Sequence, residues 1–182
     1  MAERFPNSSG SNKVPCLFVK PGFSSASTEE VIFYTIVCYG IVITLFDKKK
    51  KIGGMCHYLF PKSTKKNSLI FAKPAITSLL NMLKNSQSDI TDLEAHIIGG
   101  ACKPGNLKLI EISDQNIRTG YEILENLSIP IVKLRVGGYH SRKVLFNTHI
   151  NKIQITQSEP LRSSEWVVMN TAEVHNFEPQ RY

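Results

Sequence analysis

Apolar residues along this chain fall into two patterns. Dense runs of Val, Ile, Phe, Tyr and Thr read as strands, and two stretches with helical spacing read as helices. Pro15 to Lys20 predicts a short strand closed by the turn dipeptide Pro21-Gly22, followed by a Ser/Thr-rich link. Val31 to Phe46 and Ile52 to Phe60 then predict an antiparallel hairpin around the lysine run Lys48-Lys49-Lys50-Lys51. A first helix is expected from Pro74, over Ala75 to Lys84, because Ile76, Leu79, Leu80 and Leu83 share one face. Glu94 to Ile98 and Lys108 to Ile112 read as strands. Asp114 would cap a second helix, Gln115 to Leu127, with Ile117, Tyr121 and Leu124 on its inner face. Pro130 to Val136, Lys143 to Phe146 and Asn151 to Thr156 complete the strands. The order predicts an α/β (α+β) domain, a largely antiparallel sheet with two long helices packed on it. Residues 13–156 would form that domain, between a disordered tail at 1–12 and an extension at 157–182.

The length of 182 residues suits one well-buried core, and the 42% hydrophobic content is ordinary for a globular chain. No apolar run approaches the ~20 residues that span a bilayer. Met1 to Asn12 is polar and lacks the apolar centre of a signal peptide, so a cytoplasmic protein without membrane insertion is expected. Cys16, Cys38, Cys56 and Cys102 are far apart, and His96, His140, His149 and His175 show no ligand spacing. No metal site or cofactor is indicated, and the cysteines read as reduced thiols packed as small hydrophobes. The net charge is +7, concentrated in Lys48 to Lys51 and in Lys62, Lys65 and Lys66. Aromatics are not interleaved with these lysines, which argues against nucleic acid. A solvated hairpin tip or an acidic protein partner accounts for the charge better.

Candidate chemistry lies in the expected hairpin. Its first arm reads Thr35-Ile36-Val37-Cys38-Tyr39-Gly40 and runs on to Asp47; its second is Gly53-Gly54-Met55-Cys56-His57-Tyr58-Leu59-Phe60-Pro61. Three glycine pairs, Gly53-Gly54, Gly99-Gly100 and Gly137-Gly138, stand at strand ends, where a positive φ or a close backbone approach favours glycine. Together these segments resemble the CheD family, the chemoreceptor glutamine deamidases of bacterial chemotaxis. In that family T-x-L-G-S-C-V-A-V-C-L-Y-D leads into G-G-M-A-H-x-x-L-P. Val19-Lys20-Pro21-Gly22 resembles the opening strand and turn, and Ala95 to Ala101 resembles A-K-x-x-G-G-A. Ile112-Ser113-Asp114-Gln115-Asn116 stands where the family has I-G-E-R-N, keeping the first and last residues. Val136 to Phe146 is similar to V-G-G-x-x-G-R-K-V-x-F.

The resemblance implies a deamidase scaffold with His57 as base and Thr35 as its supporting hydroxyl. It also places Gly40 where the family keeps its nucleophilic cysteine, and glycine cannot attack an amide carbonyl. Cys38 is the alternative nucleophile. On an extended strand it would sit two residues, about 6.5 Å, from that position, so it needs a bulge or a rebuilt loop. Cys56, adjacent to His57 on a strand, should face the other way. The resemblance thus implies a CheD-type protein that docks chemoreceptor cytoplasmic helices or a CheC-type phosphatase, with deamidation impaired or lost. The alternative is an active deamidase using Cys38 and His57. Because His57 and Thr35 remain, Gly40→Cys is the natural restoration experiment, with Tyr39 the expected obstacle.

Overall fold

A computed structural model describes residues 14–62 and 68–158. The tail at 1–12, nearly all of the extension at 157–182, Lys65, Lys66 and His175 lie outside the described residues.

Among the described residues, nine strands and two α-helices follow one another as β1 (Cys16–Phe18), β2 (Phe23–Ser27), β3 (Ile32–Val37), β4 (Ile41–Asp47), β5 (Ile52–Tyr58), α1 (Ala72–Asn85), β6 (Leu93–Gly99), α2 (Leu107–Asn126), β7 (Ile131–Val136), β8 (Arg142–Asn147) and β9 (Lys152–Gln157). They form two sheets, ordered β1-β3-β8-β9 and β2-β5-β4-β6-β7. All neighbours are antiparallel except β1 with β3 and β6 with β7, so the α+β expectation holds with two sheets in place of one.

Period-two alternation on β4 explains the layering. Ile41, Ile43 and Leu45 face the helices and pack with Leu79, Leu83 and Leu124. Val42 and Phe46 face the other way, into a second core with Phe33, Val37, Val144 and Phe146 of the four-stranded sheet. With both faces covered, all seven residues of β4 and of β5 are buried. The molecule is therefore three layers deep: four-stranded sheet, five-stranded sheet, helices.

Several elements depart from the sequence-based reading. The stretch from Val31 to Phe46 is two strands in different sheets, broken by a bend at Cys38-Tyr39-Gly40. The carbonyls in the bend find partners off any strand: Cys38 O accepts from Ala101 N (2.8 Å), Gly40 O from Gly100 N (2.8 Å) and Tyr39 O from Asn116 Nδ2 (3.1 Å). Backbone groups satisfied this way no longer need a ladder. The Ser/Thr-rich link contains β2, which pairs Ala26 with Gly54 and Ser27 with Gly53. Those glycines serve close approach, since a Cβ at Gly54 would meet Ser25 O at 2.8 Å and Leu79 Cδ1 at 2.5 Å.

Lys108 to Ile112 is not a strand but the start of α2, whose cap is Asn106, not Asp114. Asn106 Oδ1 accepts from Leu109 N at 3.1 Å. The buried face of α2 is Ser113, Asn116, Gly120 and Leu124. Its polar half hides the helical period, and the shifted face leaves Ile117 partly buried and Tyr121 42% exposed, against expectation. Leu79, Leu83 and Leu124 are fully buried, as expected. The first helix begins at Ala72, two residues before Pro74.

The lysine run is largely engaged within the chain. Lys49 pairs with Asp92 at 2.8 Å, Lys50 Nζ donates to Gln87 O at 2.5 Å, and Lys51 lies 5.7 Å from the Phe46 ring centroid. The turn is held by Asp47 Oδ1, which accepts from Lys49 N and Lys50 N, both at 2.9 Å. No helix among the described residues is long and apolar enough to cross a membrane.

Candidate functional site

His57 on β5 and Thr35 on β3 belong to different sheets, and both point into the layer between them. Thr35 Oγ1 lies 3.1 Å from His57 Nδ1, and both residues are buried. The hydroxyl thereby holds one ring nitrogen and turns the other, Nε2, toward the bend at Gly40. A Cβ placed on Gly40 would stand 3.2 Å from Nε2. The threonine hydroxyl, the imidazole and the Gly40 backbone thus stand in line across the two sheets. Position 40 holds no side chain.

It has no room for one either. The same Cβ would stand 2.6 Å from Tyr58 O and 3.0 Å from Leu59 Cδ2. The obstacle is the Tyr58 carbonyl, whereas the sequence points to Tyr39. Burial holds the His57 imidazole down to a pKa of about 3, so the ring is neutral near pH 7.

The bend itself is pinned by the loop after β6 and by α2. Gly100 and Ala101, in that loop, donate to Gly40 O and Cys38 O, and Ser113 Oγ donates to Gly100 O at 2.6 Å. Asn116 Nδ2 donates to Tyr39 O and, at 2.7 Å, to Leu59 O. Arg142 closes the far side, its guanidinium donating to Gly137 O at 2.6 Å and Gly99 O at 3.3 Å. Asn116 and Arg142 stand in the quoted motifs with no role attached; their partners are backbone carbonyls of other segments, which no motif reveals.

Cys38 sits in the bend, buried with Tyr39 and Leu59 and flanked by Phe60, Leu109 and Ile112. Burial, followed by the charge of Arg135, lowers the Arg142 guanidinium, and nearby Cys38 offsets this only in part. Because residues 38–40 form a bend, the spacing argued from an extended strand does not describe Cys38. Cys56 faces the helices, away from His57, and burial pushes its thiol up to about 12. It is no nucleophile near neutral pH. Cys102 is buried, and desolvation followed by Asp114 raises its thiol as well.

A second threonine–histidine pair lies in the same layer. Thr44 Oγ1 and His96 Nδ1 are 2.8 Å apart on paired strands, and the His96 ring meets Phe146 edge-on. Burial, with a smaller contribution from Lys133, holds His96 down to about 4. No thiol or hydroxyl contact to its other nitrogen accompanies the pair among the described residues, and it reads as core. His140 and His149 are exposed. No group of three His, Cys, Asp or Glu side chains among the described residues could hold a metal ion.

The model of one protein family, described as CheD chemotactic sensory transduction, matches residues 59–157, just over half of the chain. The chain belongs to the CheD family. It is 33% identical over 125 residues to the probable chemoreceptor glutamine deamidase CheD of Clostridium kluyveri, covering 65% of this chain and 76% of that protein. Over 131 residues it is 30% identical to the protein of the same description from Clostridium acetobutylicum, covering 65% and 74%. A probable chemoreceptor glutamine deamidase CheD 2 of Geobacter sulfurreducens is 22% identical over 148 residues, covering 78% and 89%. The segment matched to the CheD family model begins two residues beyond His57. The arrangement of Thr35, Gly40 and His57 therefore stands on the geometry.

Proposed function

We propose that this CheD-family chain is a cytoplasmic chemotaxis protein that engages the glutamine-bearing helices of chemoreceptors, with the deamidation reaction impaired or lost. The observation that carries the reading is the place beside His57 Nε2. A base supported on Nδ1 by Thr35 faces a glycine backbone where an attacking atom would have to stand.

Deamidation of a protein glutamine needs a thiolate to attack the side-chain carbonyl. The tetrahedral adduct then expels ammonia, which takes its proton from the base, and water releases the acyl group as glutamate. Gly40 supplies no electron pair for the first bond. A glutamine-bearing partner helix would be recognised as an amphipathic helix laid against the chain. A CheC-type phosphatase presenting a similar helix is a second partner of the same chemistry.

An active deamidase using Cys38 remains the competing reading, favoured by the bend that brings Cys38 off the strand path and by its Arg142 neighbour. One experiment separates the two. Purified protein is mixed with receptor cytoplasmic fragments, with binding read by calorimetry, ammonia by coupled assay and glutamine conversion by intact mass. Binding without ammonia or mass change is the expected result. Ammonia release that disappears in Cys38→Ala establishes the competing reading, and absence of binding removes the proposed partner.

A further inference from the structure

We propose that Asn116 is the positioning residue of this site: its carboxamide ties the bend carrying Gly40 to the chain leaving His57, and so sets how closely the two approach. The inference rests on reading Thr35, Gly40 and His57 as one site, and is independent of what that site does to a partner.

The contacts converge on one turn of α2. Asn116 is fully buried, and its Nδ2 donates to Tyr39 O at 3.1 Å and to Leu59 O at 2.7 Å. Tyr39 precedes Gly40 and Leu59 follows Tyr58, so the two bonds straddle the place where a Cβ on Gly40 would meet Tyr58 O. The Asn116 backbone carbonyl in turn accepts from the Tyr58 hydroxyl at 2.8 Å. Gly120, one turn further on, leaves room for that hydroxyl, since a Cβ there would collide with it. One turn earlier, Ser113 reaches Gly100, whose N–H holds Gly40 O. Tyr39, Gly40, Tyr58 and Leu59 are thus all referred to the stretch Ser113 to Gly120.

The chemistry of the side chain argues that this is its purpose. Asn116 Oδ1 is buried and has no hydrogen-bond partner among the described residues. A lone buried acceptor is destabilising, so a residue chosen for core stability alone would be apolar. A primary carboxamide has what the place demands, two N–H donors on one atom for two carbonyls. Aspartate lacks the donors, and glutamine is a methylene too long for a closed core.

Nuclear magnetic resonance on the intact chain tests this in two ways. In the unaltered protein, the Asn116 side-chain amide protons should exchange with solvent only as slowly as the core backbone amides. Rapid exchange, like that of exposed asparagines, overturns the proposal without any variant. In Asn116→Ala, the apparent pKa of His57, about 3 in the unaltered protein, should rise by about one unit or more as water gains access to Nε2. Leu124→Ala, a core loss on the same helix, should leave the His57 titration where it was. The drop in Tm caused by Gly40→Ala should also be smaller in the Asn116→Ala background, because neighbours on one contact are not additive. An unmoved His57 titration or full additivity overturns the assignment. Should Asn116→Ala fail to fold, the exchange measurement decides. No receptor enters these experiments, so a failure of receptor binding is read separately.

Discussion

Gly40 lies at the centre of the functional reading, and its surroundings allow the cost of filling it to be worked out. Its φ lies outside the left-handed region, so an L side chain is compatible with the backbone and space alone opposes one. The opposing contact is the 2.6 Å that would separate an added β-carbon from Tyr58 O, a backbone atom that cannot rotate away. Nor can the Tyr58 segment shift cheaply. Gly22 N holds His57 O at 2.7 Å, Ile70 O holds Leu59 N at 2.9 Å, and Asn116 holds Leu59 O. Forcing a methyl-sized group into a packed site costs about 1–3 kcal/mol. Replacing glycine at a compatible φ returns about 0.4–1 kcal/mol through the unfolded chain. Gly40→Ala should therefore lose about 1–2 kcal/mol, or about 2–8 °C in Tm for a chain of this size. Gly40→Cys should lose at least as much and should not restore ammonia release, contrary to what the motif alone implies. Thermal melts by circular dichroism, with the ammonia assay on the same preparations, make the measurement. A Gly40→Ala protein as stable as the unaltered one would refute the steric argument. A stable Gly40→Cys protein that converts receptor glutamines would show an open nucleophile place and a dormant enzyme.

Further expectations concern the buried imidazoles and the helix faces. His57 and His96 titrate near 3 and 4 in the folded chain, against about 6.5 unfolded. Below pH 6.5 the unfolded chain takes up protons that the folded one refuses, so stability falls with falling pH. Near pH 5 the slope reaches up to about 2.7 kcal/mol per pH unit for the two together, and it fades to nearly nothing above about pH 8. Urea midpoints at pH 7 and pH 5 that coincide would contradict this, and His96→Gln should flatten the curve. Thr35→Val strands the buried His57 Nδ1 and should cost about 1–3 kcal/mol in urea titration, whereas Thr35→Ser should cost less; equal stability of the valine variant would remove the pairing. Leu83→Ala should cost about 2–5 kcal/mol. Tyr121→Ala, on an exposed position, should stay within about 0.5 kcal/mol, and the reverse order would mean that α2 is rotated.

How much of this is legible in the chain depends on what kind of partner each residue finds. The arms β4 and β5 and the first helix can be read because their partners are apolar, and apolar burial leaves a dense run in a strand covered on both faces and a period in a helix covered on one. The second helix is legible from Gln115 onward only, because on the face it buries Ser113, Asn116 and Gly120 meet carbonyls and a hydroxyl, and Leu124 is the fully buried residue that joins the hydrophobic core. The strand β2 escapes notice for a related reason. Its small residues match the glycines of β5, and two weak strand signals make one tight pairing that neither shows alone. The break at Cys38-Tyr39-Gly40 is the same lesson at the site. All three residues are buried, so the run looks continuous, yet the carbonyls turn to α2 and to the loop after β6. The motif can therefore name Thr35, Gly40 and His57 as neighbours but cannot show that the chain has closed over Gly40. A backbone carbonyl 2.6 Å from where a β-carbon on residue 40 would stand means that glycine is built into the present fold, and any larger residue there requires that the Tyr58 strand end, and the Asn116 bond that holds Leu59 beside it, move first.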